Sequence, residues 1–244
     1  MSSFAAGNIA RLSSTEHKQL RIITTRGAAY GDAMMSAITF PEEFRSLQAI
    51  YPIVFAPNQD GTSFDALALF GFERGENLFL GTDGWDAPAL PLSVERIPFL
   101  IGEHQGQPLM HIDLDSPRVS TTDGQALFLT YGGTSEYMEH MTSVLRTLHD
   151  GLGAARGFFA ALQSLELIEP FTMDIELDDG SEHRLAGYFT INEDRLHALP
   201  GAALERLAQA GYLAPVYLAI ASLSQFRGLI ARRNRRQAAG RQEG

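Results

Sequence analysis

Between Gly75 and Arg96 lie the residues of this chain whose types best suit binding: Glu76, Asn77, Trp85 and Arg96. Glu76 offers a carboxylate acceptor, Asn77 a donor and an acceptor, Trp85 an aromatic wall, and Arg96 a planar cation with five N–H donors. Gathered into one pocket, they would take an anionic or planar ligand. Each also has a structural alternative: Asn77 satisfying turn backbone, Trp85 filling core, Arg96 pairing with Glu95 or another acid. A second group, Arg232, Arg233, Arg235 and Arg236, follows an apolar helical stretch. Its density exceeds what a helix C-terminus requires and points to a mobile basic tail for an acidic partner or an anionic lipid surface.

Other constellations are weaker. His111, Asp113 and Asp115 share one face of a strand, the start of an iron-ligand pattern, but no third ligand is distinguished and a solvated strand face explains them. Glu136, Glu139 and His140 fall on one helix without the matching Glu-x-x-His motifs that a carboxylate-bridged metal needs. Gly151-Leu152-Gly153 through Gly157 follows a helical rather than a strand pattern, with the wrong spacing for a dinucleotide loop. No Walker loop and no Gly-x-Ser-x-Gly elbow occurs, and cysteine is absent. The expectation is therefore no metal, no cofactor and no catalytic residue, which leans away from an enzyme.

With 45% hydrophobic residues in 244, the chain can bury a sizeable core, so a globular fold is expected rather than disorder. A net charge of -10 opposes general nucleic-acid binding. That charge is uneven, because five arginines and a single acid lie within residues 231–244, giving an acidic body and a basic tail. The N-terminus lacks the basic start and apolar run of an export signal, and Tyr212–Leu223 is short of the roughly 20 residues of a membrane span. A cytoplasmic protein without a transmembrane segment is the expectation.

The elements that would position these groups follow from periodicity. Leu20–Thr24 reads as a short strand, and Phe40–Leu47 as a helix begun by Pro41 and two acids, feeding a strand at Tyr51–Phe55. Asp65–Phe72 and Leu78–Leu80 flank a Gly-containing turn and read as a hairpin; Ile97–Ile101 and Leu109–Leu114 are further strands, joined by Gly102–Pro108. A helix capped by Thr134 or Ser135 runs to about His149, breaks at Gly151 and Gly153, and restarts over Ala154–Leu167. Phe171, Met173, Ile175 and Leu177 alternate as a strand, turn at Asp178–Ser181, and return over Leu185–Ile191. Two or three helices then end near Arg236.

Blocks of strands and helices favour an α+β fold: a largely antiparallel sheet with helices packed on it and a helical C-terminal segment. The expected organisation is one unit over residues 1–244, divisible into lobes 15–150 and 151–230, with the basic tail 231–244.

Tyr51-Pro52-Ile53-Val54-Phe55, Ala68-Leu69-Phe70-Gly71, Gly75-Glu76-Asn77-Leu78-Phe79, Trp85 and Arg96-Ile97-Pro98-Phe99, in this order and spacing, resemble the SapC-like family of bacteria. His17–Arg21, Phe40–Phe44, Asp123-Gly124 with Leu127-Phe128, Phe171–Gly180 and Ser222-Leu223 extend the resemblance over about residues 15–230. Ala219 departs from it, standing where a histidine is expected. The resemblance implies a non-enzymatic accessory or binding protein of a bacterial surface-layer or envelope system, with a protein partner. The permease that shares the family's name is excluded by the expected lack of spanning segments. The alternative is a small-molecule-binding protein or unrecognised enzyme with its pocket near Asn77, Trp85 and Arg96.

Overall fold

The computed structural model describes residues 8–104 and 107–242. Outside them lie the start of the polar N-terminus, the centre of the Gly102–Pro108 connection and the last two residues of the tail.

A five-stranded antiparallel sheet runs in the order Ile168–Glu176, Glu182–Ile191, Ile53–Pro57, Phe64–Leu69, Ser36–Thr39. Alternating apolar residues on both sides of the Asp178–Ser181 turn make the outer hairpin, and Gly180 takes the left-handed conformation (φ 81°) that closes it. This hairpin joins the rest of the sheet where Phe189 meets Phe55. Ile53–Pro57 and Phe64–Leu69 pair from Ile53↔Ala68 to Pro57↔Phe64. The sheet thus draws strands from both halves of the chain.

The α+β expectation holds, with antiparallel sheets and a C-terminal helix. The Phe40–Leu47 helix forms as a 3-10 turn, Pro41–Glu43, running into Phe44–Leu47. Leu78–Leu80, however, does not return as a hairpin partner of the preceding strand. Phe64–Leu69 takes Ser36–Thr39 as its other neighbour, Leu78 and Phe79 are buried in the core, and Leu80–Gly81 pairs with Gly84–Trp85. Phe99–His104 and Gln107–Asp113 do form the expected hairpin, joined at its edge by Ile9–Arg11.

One helix, Glu136–Ser164, replaces the two expected. Ser135 caps it by accepting from the Met138 N–H at 3.1 Å, and its 29 residues span about 43 Å. Gly151 does not break it. A Cβ there would lie 2.2 Å from the Phe40 ring, so glycine at this point admits the ring rather than ending the helix. The helix also runs unbroken across the lobe boundary expected at residues 150 and 151. Its first half, with Met138, Met141, Val144 and Leu145, packs into a smaller apolar cluster with Ile22, Phe99, Ile112 and Leu127. Its second half, with Phe158, Phe159 and Leu162, packs into the large cluster over the five-stranded sheet.

After the sheet come short helices at Glu193–His197 and Gly201–Gln209, then a helical run from Leu213 to beyond the arginines. Leu213–Arg241 is long and apolar enough, by length and composition alone, to cross a membrane, because it continues through Ser224–Arg227 where the sequence suggests a stop. One face of it, Val216, Ala219, Ser222, Phe226 and Leu229, is buried in the large cluster. The Ser222 hydroxyl accepts the Ile53 N–H at 2.9 Å and ties this helix to the sheet.

Candidate functional site

Arg26, Asp32 and Arg118 form a buried polar centre beside the smaller cluster. Arg21–Ile22 pairs with Val119–Ser120, and the Ile23 N–H donates to the Arg118 carbonyl at 2.9 Å, which brings Arg118 alongside residues 23–25. The chain then turns through Ala28–Tyr30 and Gly31, whose φ of 86° suits glycine, and returns Asp32 beneath Arg26. Asp32 Oδ2 accepts from Arg118 Nη2 at 2.6 Å and from the Gly27 N–H at 2.7 Å, while Oδ1 accepts from Arg26 Nη1 at 3.2 Å. Arg118 Nη1 donates to the carbonyls of Ile23 and Thr25, each at 2.9 Å, and its guanidinium stands 5.6 Å from the centre of the Tyr30 ring.

Two guanidinium groups here share one carboxylate. Arg118 is 1% exposed and Asp32 fully buried. Burial, then the charge of Arg118, lowers the pKa of Arg26, and Asp32 opposes both. An arginine remains protonated near neutrality all the same, so these three groups sum to one positive charge, which the nearby Glu95 carboxylate offsets in part at Arg26. Arg118 Nε, sealed from bulk solvent, has no hydrogen-bond partner among the described residues. A group of this kind costs free energy unless something supplies an acceptor.

Both arginines help wall a cavity of about 130 Å³. Ile23, Ile97 and Met141 form its apolar side. Thr24, Glu95, Tyr137 and His140 complete the polar side. The Tyr137 phenol is pushed up to about 12 by burial, against the pull of the two arginines, so it stays a neutral donor. Thr24 and His140 are exposed and mark the solvent edge, where His140 Nε2 lies 2.7 Å from Glu95 Oε1. Arginines and a neutral phenol donate hydrogen bonds without exchanging protons near neutral pH, which is the chemistry of holding an anion.

The four residues singled out between Gly75 and Arg96 do not line this cavity, and their polar atoms serve the fold. Asn77 Nδ2 donates to the Asp32 carbonyl at 2.8 Å and its Oδ1 accepts from the Phe79 N–H at 3.0 Å, so Asn77 braces the Asp32 loop. Glu76 accepts from the Phe72 N–H at 2.8 Å and forms an ion pair with Arg233. Trp85 Nε1 donates to the Tyr51 hydroxyl at 2.8 Å, and its ring meets Phe70 edge-on. Arg96 pairs with no acid among the described residues; its Nη1 donates to the Phe99 carbonyl at 2.5 Å, and burial lowers its pKa.

The basic segment is a docked helix. Arg232 bonds Asp86 at 2.7 Å and lies 4.3 Å from the centre of the Phe79 ring. Arg233 pairs with Glu76 and Glu73, Arg236 donates to the Leu80 carbonyl at 2.7 Å, and Arg241 reaches Asp179 at 3.2 Å. Arg235 is exposed. Two groups read separately from the sequence, Glu76 and the arginines, are thus partners of each other. His111 bonds its own strand at the Leu109 carbonyl, and no three His, Asp or Glu side chains among the described residues are placed to hold a metal ion.

A comparison at family level matches residues 12–229 to SapC. The chain belongs to the SapC family. No curated protein and no solved structure matches it. The SapC span takes in Arg26, Asp32, Arg118, Tyr137 and His140 but stops before Arg232, so the cavity lies within the shared region and the docked arginines beyond it. The local signal for this arrangement was Arg26-Gly27 followed by Tyr30-Gly31-Asp32, a cation, an acid and two glycines in one short loop. Its partner Arg118 lies 86 positions from Asp32, beyond any local pattern.

Proposed function

We propose that this SapC-family chain is a binding protein whose site is the cavity beside Arg26 and Arg118, and that it takes a small anion. The reading rests on one observation: a buried and a partly buried arginine share one buried aspartate, and both arginines help wall an open cavity. An anion there would accept from the Arg26 guanidinium and the Tyr137 hydroxyl at the cavity wall. A ligand present at about 100 times its Kd stabilises a fold by about 2.7 kcal/mol, or roughly 5–11 °C in melting temperature for a chain of this size. A thermal-shift screen of phosphate, sulfate, nitrate and small carboxylates at constant ionic strength tests it. A shift that Arg26→Met abolishes supports the reading, and no shift with any anion refutes it.

A second reading, an accessory protein with a protein partner in a bacterial envelope system, draws on SapC membership and on the loop before the long helix. Tyr131 is wholly exposed and Leu129 half exposed there, beside a groove lined by Leu12, Leu109, Met110, Phe128 and Met138. Exposed aromatics next to an apolar groove suit a protein surface. Recovery of one defined envelope protein from the native cells, lost on Tyr131→Ser, supports this reading; recovery unchanged by that substitution, or a clean monomer, refutes it.

A further inference from the structure

We infer that the anion site is governed by pH: protonation of His140 neutralises Glu95 at the mouth of the cavity and strengthens anion binding, and loss of that proton weakens it; this rests on the binding reading above. An anion that accepts from Arg26 and Tyr137 shares its cavity wall with Glu95. Burial dominates the pKa of both donors, lowering Arg26 and raising Tyr137, and the Glu95 charge acts on each as well, upward in both cases. A carboxylate that reaches both donors also repels the anion they hold. Glu95 is 27% exposed, so solvent screens that repulsion only in part.

Charge counting gives the direction. With His140 neutral, Arg26 and Arg118 are matched one for one by Asp32 and Glu95, and the four groups sum to zero. With an imidazolium 2.7 Å from Glu95 Oε1, the same group is positive by one. Histidine is the side-chain type that ordinarily gains or loses its charge between about pH 5 and pH 8, while guanidiniums and ordinary carboxylates keep theirs. The His140 ring is 58% exposed, so a proton reaches it from solvent without any opening of the cavity. Besides Glu95, the groups that face it are Arg26 from the loop after Arg21–Ile22, Arg118 from the turn before Val119–Ser120, and Tyr137 and Glu136 on its own helix. Neither the arginines nor Tyr137 change charge in that range, and Glu136 is exposed. Glu43 lies behind Glu95: its Oε1 accepts the Leu92 N–H at the start of the short Leu92–Glu95 helix, and burial raises its pKa. Its titration is the rival source of a pH effect.

Isothermal titration of the full-length protein with nitrate, sulfate and formate, at one low ionic strength and at about pH 5.5 and about pH 8, tests this with anions that keep their own charge. Binding is expected to be about three- to tenfold tighter at the lower pH. It is also expected to take up part of a proton per anion, measured in two amine buffers of different ionisation heat. His140→Gln is expected to bind at both pH values as weakly as the parent does at the higher one, without proton uptake. Glu95→Gln is expected to bind more tightly than the parent at the higher pH, and Glu43→Gln to keep the parent's pH dependence. A pH dependence that survives His140→Gln or disappears in Glu43→Gln overturns the assignment, as does Glu95→Gln binding no tighter than the parent at the higher pH. Affinity equal at the two pH values, or tighter at the higher one, in a site that Arg26→Met abolishes, overturns the pH control and leaves the binding reading standing. No binding at either pH overturns both together.

Discussion

Replacing Asp32 by asparagine tests the logic of the buried centre directly. Asparagine is nearly isosteric but carries no charge, and it offers one acceptor oxygen where Asp32 offers two. The carboxylate serves Arg118 at 2.6 Å, the Gly27 N–H at 2.7 Å and Arg26 at 3.2 Å. Turning the new amide nitrogen toward Arg118 and Gly27 sets donor against donor; turning it the other way does the same at Arg26. Either way a buried and a partly buried guanidinium lose their shared counter-ion. Removing one partner of a buried ion pair costs about 3–5 kcal/mol, a large part of a typical total of about 5–15 kcal/mol. For this length that is a fall of roughly 6–20 °C in melting temperature. Urea titration followed by fluorescence of Trp85, the sole tryptophan, and by far-ultraviolet circular dichroism gives the free energy where the two transitions coincide. Asp174→Asn is the control, since its pair with Arg184 is 76% and 69% exposed and is worth at most about 1 kcal/mol. Adding Arg118→Met to Asp32→Asn removes one stranded cation, so the double variant is expected to lose less than the sum of the singles by about 1–3 kcal/mol. An Asp32→Asn variant within about 1 kcal/mol of the parent, or strict additivity, refutes the shared counter-ion account.

Glu43 is buried, and desolvation raises its pKa above 4.5 against the pull of hydrogen bonds from the Leu92 N–H and the Thr39 hydroxyl. The folded state therefore holds the Glu43 proton more tightly than the unfolded chain. This contribution is fully present at low pH and declines as pH rises from about 4.5 through the native value. Glu43→Gln should gain stability relative to the parent between pH 4 and pH 7, and a pH-independent difference in urea midpoints would contradict this. Gly151→Ala meets the Phe40 ring and should cost about 1–3 kcal/mol, whereas Gly153→Ala, with open space around it, should stabilise by up to about 1 kcal/mol. Melting temperatures moving in the same direction for both would reject the packing explanation. Arg233→Met strands Glu76, whose side chain is 8% exposed, and should cost about 3 kcal/mol, with Glu76→Gln in the same chain recovering part of it. Equal melting curves for Arg233→Met and the parent would show that the tail does not support the acidic loop.

What was legible in the sequence was local. Phe171, Met173, Ile175 and Leu177 alternate beside the Asp178–Ser181 turn, and Pro41 with its two acids marks a helix start; each appears in the fold because one short segment contains all the physics needed. Gly151 misled because propensity weighs a glycine by its backbone, and here the missing side chain serves contact with a ring far away in sequence. Leu78 and Phe79 read as strand because they are apolar, but burial in the core does not require a β-ladder. The site was illegible for a related reason. Glu76 and Asn77 stood out as polar residues at a turn, yet their partners are Arg233 and the Asp32 loop, and no single-sequence pattern pairs residues so far apart. Charge excess in the tail was visible; that it answers the acids of residues 73–86 was not.

The way the central sheet draws on both halves of the chain bears on synthesis. Ile53–Pro57 leaves the ribosome more than a hundred residues before Glu182–Ile191, the hairpin strand that covers its free edge. The arginines that cap the acidic loop emerge later still. Neither half can finish its sheet while the other is unmade, so a nascent chain carries an open edge until residues 182–191 are made and an uncapped loop until the arginines follow. Chains stalled before residue 182 should therefore engage chaperones, and release should come in two steps, one at sheet closure and one when the arginine-bearing helix docks.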